Sequence, residues 1–474
     1  MATKDFRLRS CRLNLGDRLS DLINFQAKDA GPGQHVTLVM GGNGSGKSWL
    51  LAGLIDSMMN RGPTALTRKL SRGPFVCEVV SAEGGSGDGV PSRILALSTL
   101  VRDRFPFIRP DKDDGFYKYL GVRQATNLTT TGALDASVGE AVMDLASDPV
   151  KVKKLREWLA LFFPDAEIGV GFPSADERLL NRYFEASEDD GVRFEKFWQR
   201  RVGPGRSLNM LEGDRVALSR RYDAIFTFLR RAPRIEPTEW SRFRFPVLPF
   251  DETPWSVEAF ADLLASLPAK ERGLTHARPT LMIRLQNWIS FDQLSSGEQN
   301  LLSVGAKLLA YAMPGSFIVI DEPEVSLNTS WQQRYLDLIS SSLEHAPGSH
   351  VLIATHSPHF VAGLRDGSGT VLLVRRERGE FLFQTRPAAY EAWGAEAVLY
   401  EVLDIPSASS FAFNGELMKV LEHIQENGQD PVVIGGFLDK ARKLRFDDAE
   451  PLGEVVREIE KYADEHSIER PSAE

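Results

Sequence analysis

The chain is 474 residues long, 42% hydrophobic and 26% charged, with a formal net charge of −9. That length holds two or three domains' worth of core, and the acidic balance argues against a generally basic nucleic-acid coat. No run of 18 apolar residues occurs, the first residues lack the apolar stretch of a signal peptide, and two cysteines, Cys11 and Cys77, cannot build a disulfide framework or a cysteine-based zinc site. The expectation is a cytoplasmic protein with no membrane partner.

Residues 5–15 set Phe6, Leu8, Leu13 and Leu15 among Arg7, Arg9 and Arg12, the pattern of an edge or half-exposed strand. His35 to Met40 is a short apolar run suited to a buried strand. Gly41-Gly42-Asn43-Gly44-Ser45-Gly46-Lys47-Ser48 follows at once and reads G-x-x-x-x-G-K-S, and Trp49 to Ile55 has helical content. Four glycines in six residues could be no more than a turn. Strand, glycine loop and helix together form the context in which backbone N–H groups converge on a phosphate. Lys47 would reach the β- and γ-phosphates of ATP, and the Ser48 hydroxyl would take one position on Mg²⁺. The phosphate-binding set is Gly41, Asn43, Gly44, Ser45, Gly46, Lys47 and Ser48, with Trp49 beside it.

Val76 to Val80 reads as another strand and Gly84 to Gly89 as a turn. Arg93 to Thr99 is a buried strand ending in the polar pair Ser98-Thr99. Residues 102–137 look loop-like, with Tyr117, Tyr119 and Leu120 hinting at local packing. From about 138 to 265 the pattern is mostly helical: Leu155, Trp158, Leu159 and Phe162 make one apolar face, and Ala217 to Leu229 another. Between 191 and 250 there are 13 Lys/Arg against 6 Asp/Glu, interleaved with Phe194, Trp198, Phe226, Trp240 and Phe243. That stretch is either a helical face whose arginines pair with nearby acids or a surface for the DNA or RNA backbone.

Leu294-Ser295-Ser296-Gly297-Glu298-Gln299 opens a helix that runs on through Leu309. Ser295, Ser296 and Gly297 at a helix start can donate to a phosphate; alone, Ser295 with Glu298 is equally a simple capping arrangement. Phe317 to Ile320 is a buried strand delivering Asp321 and Glu322 at its end, where adjacent carboxylates are costly without a cation. Asp321 would hold the metal, and Glu322 would orient and deprotonate an attacking water. Val351 to Thr355 is another strand, and His356 ends it.

In this order the motifs resemble those of the ABC-type ATPase head: Walker A at 41–48, signature at 294–299, Walker B at 317–322, a D-loop around Ser326-Leu327-Asn328 and a switch histidine at His356. The resemblance implies an α/β P-loop fold in which Ser295, Ser296, Gly297 and Glu298 act on the ATP of a second subunit and His356 senses the γ-phosphate, so that ATP joins two heads. Ser296-Gly297-Glu298-Gln299 is closer to chromosome-maintenance and DNA-repair heads than to transporter motors, yet the long coiled coils of those heads are missing. What remains is similar to the compact ATPases of bacterial anti-phage systems, including the Septu ATPase and the overcoming-lysogenization-defect group, on the Asp-Glu-Pro-Glu-Val-Ser-Leu run, the Ala-Thr-His-Ser-Pro ending and the long insertion before the signature. After residue 370 there is no paired-acid strand ending and no Glu-x-Lys motif, so an effector nuclease is expected from a separate, neighbouring gene. DNA or a phage-derived trigger is a further expected ligand.

The sequence departs from such heads at Ser98-Thr99, where a glutamine usually stands, and which residue replaces it is left open. The tail beyond about 386 reads helical, either as a cap packed on the ATPase sheet or as a docking platform. The resulting division is an N-terminal ATPase lobe (1–100), a mostly helical insertion (101–278), a C-terminal ATPase lobe (279–385) and the helical tail (386–474). The leading functional expectation is the ATPase of an anti-phage complex; the alternative is a DNA-repair or chromosome-binding ATPase that works without an effector.

Overall fold

The apolar runs of the sequence line up side by side in one sheet. The computed structural model describes residues 4–15, 19–25, 33–62, 76–85, 89–100, 103–108, 115–123, 133–145, 148–171, 247–249, 280–365, 369–377, 380–387, 393, 395–399, 411–442, 451–466 and 468. The first part of the chain forms β1 (Lys4–Asn14), β2 (Ile23–Asn24), β3 (His35–Met40), α1 (Lys47–Met59), β4 (Val76–Gly85), β5 (Ile94–Ser98) and β6 (Tyr117–Tyr119). Helices α2 (Ala133–Leu145) and α3 (Pro149–Ala160) come next, then β7 (Glu167–Gly171), β8 (Val247–Pro249), β9 (Thr280–Arg284) and β10 (Trp288–Ser290). After these run α4 (Ser296–Tyr311), β11 (Phe317–Asp321), α5 (Thr329–Ser342), β12 (His350–Thr355), α6 (Pro358–Ala362), β13 (Gly369–Glu377) and β14 (Glu380–Pro387). The tail carries α7 (Phe411–Gln425), α8 (Pro431–Ala441) and α9 (Pro451–Glu465).

The seven-stranded sheet has the order β14-β13-β3-β12-β11-β5-β6, parallel except for β14. Its central strands are buried on both faces, which is why they read as continuous apolar runs rather than alternating ones. Leu38, Leu95, Ile318, Ile320 and Ile353 face a core shared with α2, α3, α4 and α5. Val39, Ala96, Phe317, Val319 and Leu352 face a second core under α1 and the small β2-β1-β4 sheet. Strand β1 is the middle strand of that small sheet, not an edge, because β4 runs on to Gly85 and pairs along it. Tyr117–Tyr119, within the stretch read as loop, is the sheet's terminal strand: it continues the parallel register from β5 and buries Tyr117. Helix α3 packs so closely on α4 that a Cβ at Gly305 would lie 2.6 Å from the Trp158 ring.

A polar knot fixes the end of the sheet remote from the strands' C-termini. The Nδ1 of His350 accepts the Leu8 N–H (3.0 Å), which leaves Nε2–H to donate to Thr37 Oγ1 (3.0 Å). Thr37 and Thr370 hydroxyls in turn donate to the Phe25 carbonyl at 2.8 and 2.7 Å. His35 stacks edge-on against His350 with ring centroids 5.0 Å apart. Burial, reinforced by the Arg7 charge, lowers the His35 pKa to about 4, and burial with His35 and Arg7 nearby puts His350 well below the usual imidazole range.

The tail helices do not add to the sheet's cores. Phe413, Val420, Ile434, Phe437, Leu438 and Ile459 from α7, α8 and α9 make a third core of their own. The Arg-rich stretch at 191–250, apart from the short strand β8, lies outside the described residues. Among the described residues no helix is long and apolar enough to cross a membrane.

Candidate nucleotide site

The parallel sheet delivers the C-terminal ends of β3, β11 and β12 to one edge, where the loops that follow them meet. The loop after β3 is glycine-dependent for two separate reasons. Gly44 (φ +77°) and Gly46 (φ +97°) occupy the left-handed region, and a Cβ on Gly41 would lie 2.1 Å from the Val374 carbonyl oxygen of β13. Asn43 and Gly44 are exposed at the loop's tip, whereas Ser45 and Lys47 are buried. Trp49 is half-buried beside the second core, with the Arg104 guanidinium 5.7 Å from its ring centre.

Lys47 donates to the Gly41 and Gly42 carbonyls at 3.0 and 3.3 Å and lies 2.8 Å from His356 Nε2. Burial lowers its pKa, opposed by the charges of Glu322, Asp321 and Glu324. The same His356 Nε2 is 3.3 Å from Glu322 Oε1. One ring nitrogen therefore faces an ammonium and a carboxylate, and it can accept from the first or donate to the second, not both at once. Glu322 itself has φ +48°, a left-handed conformation that turns the chain out of β11.

Ser48 Oγ donates to Asp321 Oδ1 at 3.1 Å. Asp321 is 1% exposed, and its Oδ2 is buried without a hydrogen-bond partner. Burial raises its pKa to about 7; the Ser48 bond and Lys47 oppose this shift and the Glu322 charge adds to it. A cavity of about 180 Å³ borders Asp321, Ser98, Thr99, Asn300, Lys307 and Tyr335. Ser98 is Asp321's neighbour across the β5–β11 ladder, and its hydroxyl accepts the Leu100 N–H at 3.2 Å.

The residue set fits ATP with Mg²⁺ on chemical grounds. Gly44 and Gly46 hold the left-handed backbone of the loop, Lys47 supplies a buried cation, and Asp321, one hydrogen bond from the Ser48 hydroxyl, keeps a second carboxylate oxygen without a partner.

At the signature, Ser295 caps α4 and forms a capping box with Glu298. Ser295 N and Oγ donate to the Glu298 carboxylate at 2.8 and 2.7 Å. Ser295 and Ser296 are exposed. This group's own contacts run to the D-loop rather than to the P-loop. A Cβ on Gly297 would lie 2.8 Å from the Ser326 carbonyl, and Ser326 has φ +69°. The buried Asn300 amide donates to the Pro323 and Val325 carbonyls at 3.1 and 3.0 Å, riveting α4 to the turn after Asp321 and Glu322.

The structure thus gathers Lys47, Ser48, Asp321, Glu322 and His356 at one point and sets Ser295, Ser296, Gly297 and Glu298 on a separate helix end. Two residues at the site had no assigned chemistry in the sequence. Asn300 has no motif signal of its own. Glu324 was visible in the Asp-Glu-Pro-Glu run, but nothing in the spacing said that its carboxylate would receive the His356 N–H at 2.5 Å.

Residues 280–362 match the family described as "AAA domain, putative AbiEii toxin, Type IV TA system". The chain itself has a mixed α/β fold in which the G-x-x-x-x-G-K-S loop joins the parallel strand β3 to α1. Similar solved structures include an SMC head bound to the C-winged helix domain of ScpA (14% identity, covering 80% of this chain and 98% of that one, TM-score 0.29). Others are the SMC head domain from Thermotoga maritima (14%, 80% and 98%, 0.27) and UvrA2 from Deinococcus radiodurans (16%, 79% and 36%, 0.28). No curated protein sequence matches the chain.

Proposed function

We propose that the protein binds and hydrolyses ATP as a homodimer or larger homo-oligomer, and that it is the cytoplasmic ATPase of a bacterial anti-phage complex controlling a separately encoded effector nuclease. The observation that carries the ATPase reading is the convergence of distant residues through three short contacts, Lys47 with His356, His356 with Glu322, and Ser48 with Asp321. The defence reading is supported by the Asp-Glu-Pro-Glu and Ala-Thr-His-Ser-Pro runs, and by a matched family whose description names a toxin and a TA system.

In this reading the backbone N–H groups of Gly44, Ser45 and Gly46 and the Lys47 ammonium hold the phosphates. Ser48 and Asp321 would hold Mg²⁺, which when bound neutralises charge on the phosphate oxygens. Glu322 takes the proton of the attacking water as its oxygen bonds to the γ-phosphorus and the bond to the bridging oxygen breaks. His356, beside both Lys47 and Glu322, follows the γ-phosphate. Ser295, Ser296 and Gly297 present donors at the exposed end of α4 to the nucleotide of a second copy, and Glu298 holds that end in shape through its bonds to Ser295.

The test is the mass of the wild type alone, with ATP·Mg²⁺, and of Glu322→Gln with ATP. ATP-dependent growth to a dimer or larger species, trapped by Glu322→Gln, is expected. A Ser295→Arg variant that hydrolyses ATP normally overturns the composite site. A neighbouring gene product with nuclease chemistry that co-purifies with the ATPase is the expected effector; recombination genes in its place favour a DNA-repair role.

A further inference from the structure

We infer that Glu324 is a positioning residue of the hydrolytic site, holding the main chain of His356 and so setting where the imidazole stands between Lys47 and Glu322. This rests on the ATPase reading above. The last ladder bond between β11 and β12 runs from Glu322 N to Ala354 O at 2.9 Å. Beyond it the two chains part, because Glu322 turns away at φ +48°. His356 therefore has a backbone N–H just past the point where the sheet stops supplying acceptors, and buried backbone donors need one. Glu324 Oε1 takes that role at 2.5 Å, a side chain replacing the missing strand.

The far side of the same segment is held independently. The Ser357 N–H donates to Thr355 Oγ1 at 3.0 Å, and the Ser357 hydroxyl donates to Gln332 Oε1 at 2.6 Å. Glu324 fixes the near side, facing Lys47 and Glu322. Its own main chain belongs to the turn that meets the signature, since the Leu327 N–H donates to the Glu324 carbonyl at 3.0 Å and the neighbouring Ser326 abuts Gly297. A shift of that turn is thereby carried to the histidine by one carboxylate. Its second oxygen is buried with no partner, so the site uses the acceptor at Oε1 and forgoes full solvation at Oε2.

Two roles of Glu324 are separable by substitution. Glu324→Gln keeps an acceptor for the His356 N–H and removes the charge that acts on Lys47; Glu324→Ala removes both. Steady-state ATP hydrolysis by these variants, the wild type and Glu322→Gln decides between them. Glu324→Ala is expected to lower kcat by at least about tenfold, as a displacement of a reacting group by a fraction of an ångström does, with KM for ATP nearly unchanged. Glu324→Gln is expected to restore most of that loss. Should Glu324→Ala not fold, Glu324→Met keeps the stem without an acceptor and stands in for it. The second readout is the His356 imidazole resonances of nucleotide-free protein, identified by their loss in His356→Ala. They should move in Glu324→Ala and stay in place in Glu324→Gln. Unmoved resonances, full turnover by Glu324→Ala, or a Gln variant as slow as the Ala variant each overturn the proposal. If the wild type hydrolyses no more ATP than Glu322→Gln, the ATPase reading fails, while the resonances still decide whether Glu324 positions His356.

Discussion

Ser48 at the start of α1 and Asp321 at the end of β11 share a hydrogen bond of 3.1 Å, although 273 residues separate them in the chain. The bond leaves Asp321 Oδ2 buried and unpartnered, so without a cation this carboxylate is a cost to the fold.

Replacing Asp321 with Asn should therefore stabilise the nucleotide-free protein while abolishing Mg²⁺-dependent hydrolysis. The pH dependence has a definite sign. The Asp321 pKa is about 7 in the fold against an ordinary carboxyl value of 3.8. Between these the folded state binds more protons, so Asp321 costs more stability as pH rises from about 4 to 7. The melting-temperature advantage of Asp321→Asn should be absent near pH 4 and reach at least about 2 °C by pH 7.5. An advantage that shrinks as pH rises contradicts this account.

Gly41→Ala should disable the loop without touching a phosphate-binding side chain. Its Cβ would collide with the Val374 carbonyl of β13, which is main chain within the sheet and cannot swing aside. We expect nucleotide-induced thermal stabilisation to disappear, with helical content by circular dichroism nearly unchanged. Gly42→Ala, where a Cβ meets nothing within 4 Å, is the control expected to keep it.

Much of this was legible beforehand because the relevant strands are doubly buried: Ile318 to Ile320 and Val351 to Ala354 announce themselves as unbroken apolar runs that end in polar residues, and Val36 to Met40, interrupted only by Thr37, runs straight into the glycine loop. Lys47, Ser48, Asp321, Glu322 and His356 follow from those endings. Tyr117–Tyr119 was hidden because a three-residue terminal strand carries too little pattern to separate from loop. Asn300 and Glu324 were hidden because their partners are backbone groups, and a backbone acceptor or donor leaves no mark on the sequence. The tail's helices could be read from their spacing; that they would build a core of their own could not, since periodicity reports an apolar face and not what covers it.

Asn300→Ala should loosen the link between the signature helix and the turn after Asp321. It removes both donors to the Pro323 and Val325 carbonyls in a buried setting. A loss of about 1–3 kcal/mol in denaturant unfolding is expected. If the rivet also transmits between the two motifs, ATP-dependent dimerisation should weaken by more than that of a surface control such as Lys153→Ala.

Acid should undo the polar knot. Burial lowers His35 to about 4 and holds His350 well below the usual imidazole range, against an ordinary value of 6.5. Below about pH 6.5 the unfolded chain takes up protons that the fold excludes, so stability conferred by the pair is full above that pH and drains away as pH falls towards 4. The trend opposes that from Asp321 and from Asp135 and Asp103, whose pKa values burial also raises, so it is best read in a variant that carries both Asp321→Asn and Asp135→Asn. Measuring the urea midpoint from pH 7.5 to 4.5 checks it. A midpoint that rises towards acid in that variant counts against the burial of neutral histidines.

The strand order has a consequence for how the protein is made. Both neighbours of β3, β12 and β13, come from residues 350–377, so the glycine loop's own strand has no companion in the sheet until about 310 residues after it leaves the ribosome. At ordinary translation speeds that is an interval of roughly 15–60 s in which an apolar strand with two open edges exists in the growing chain. A nascent or prematurely terminated product therefore carries the entire glycine loop without Asp321, Glu322 or His356. On the proposed function, ATP hydrolysis can begin only once the message has been read past His356, and the unfinished chain, with its open apolar strand, is the form most in need of a chaperone.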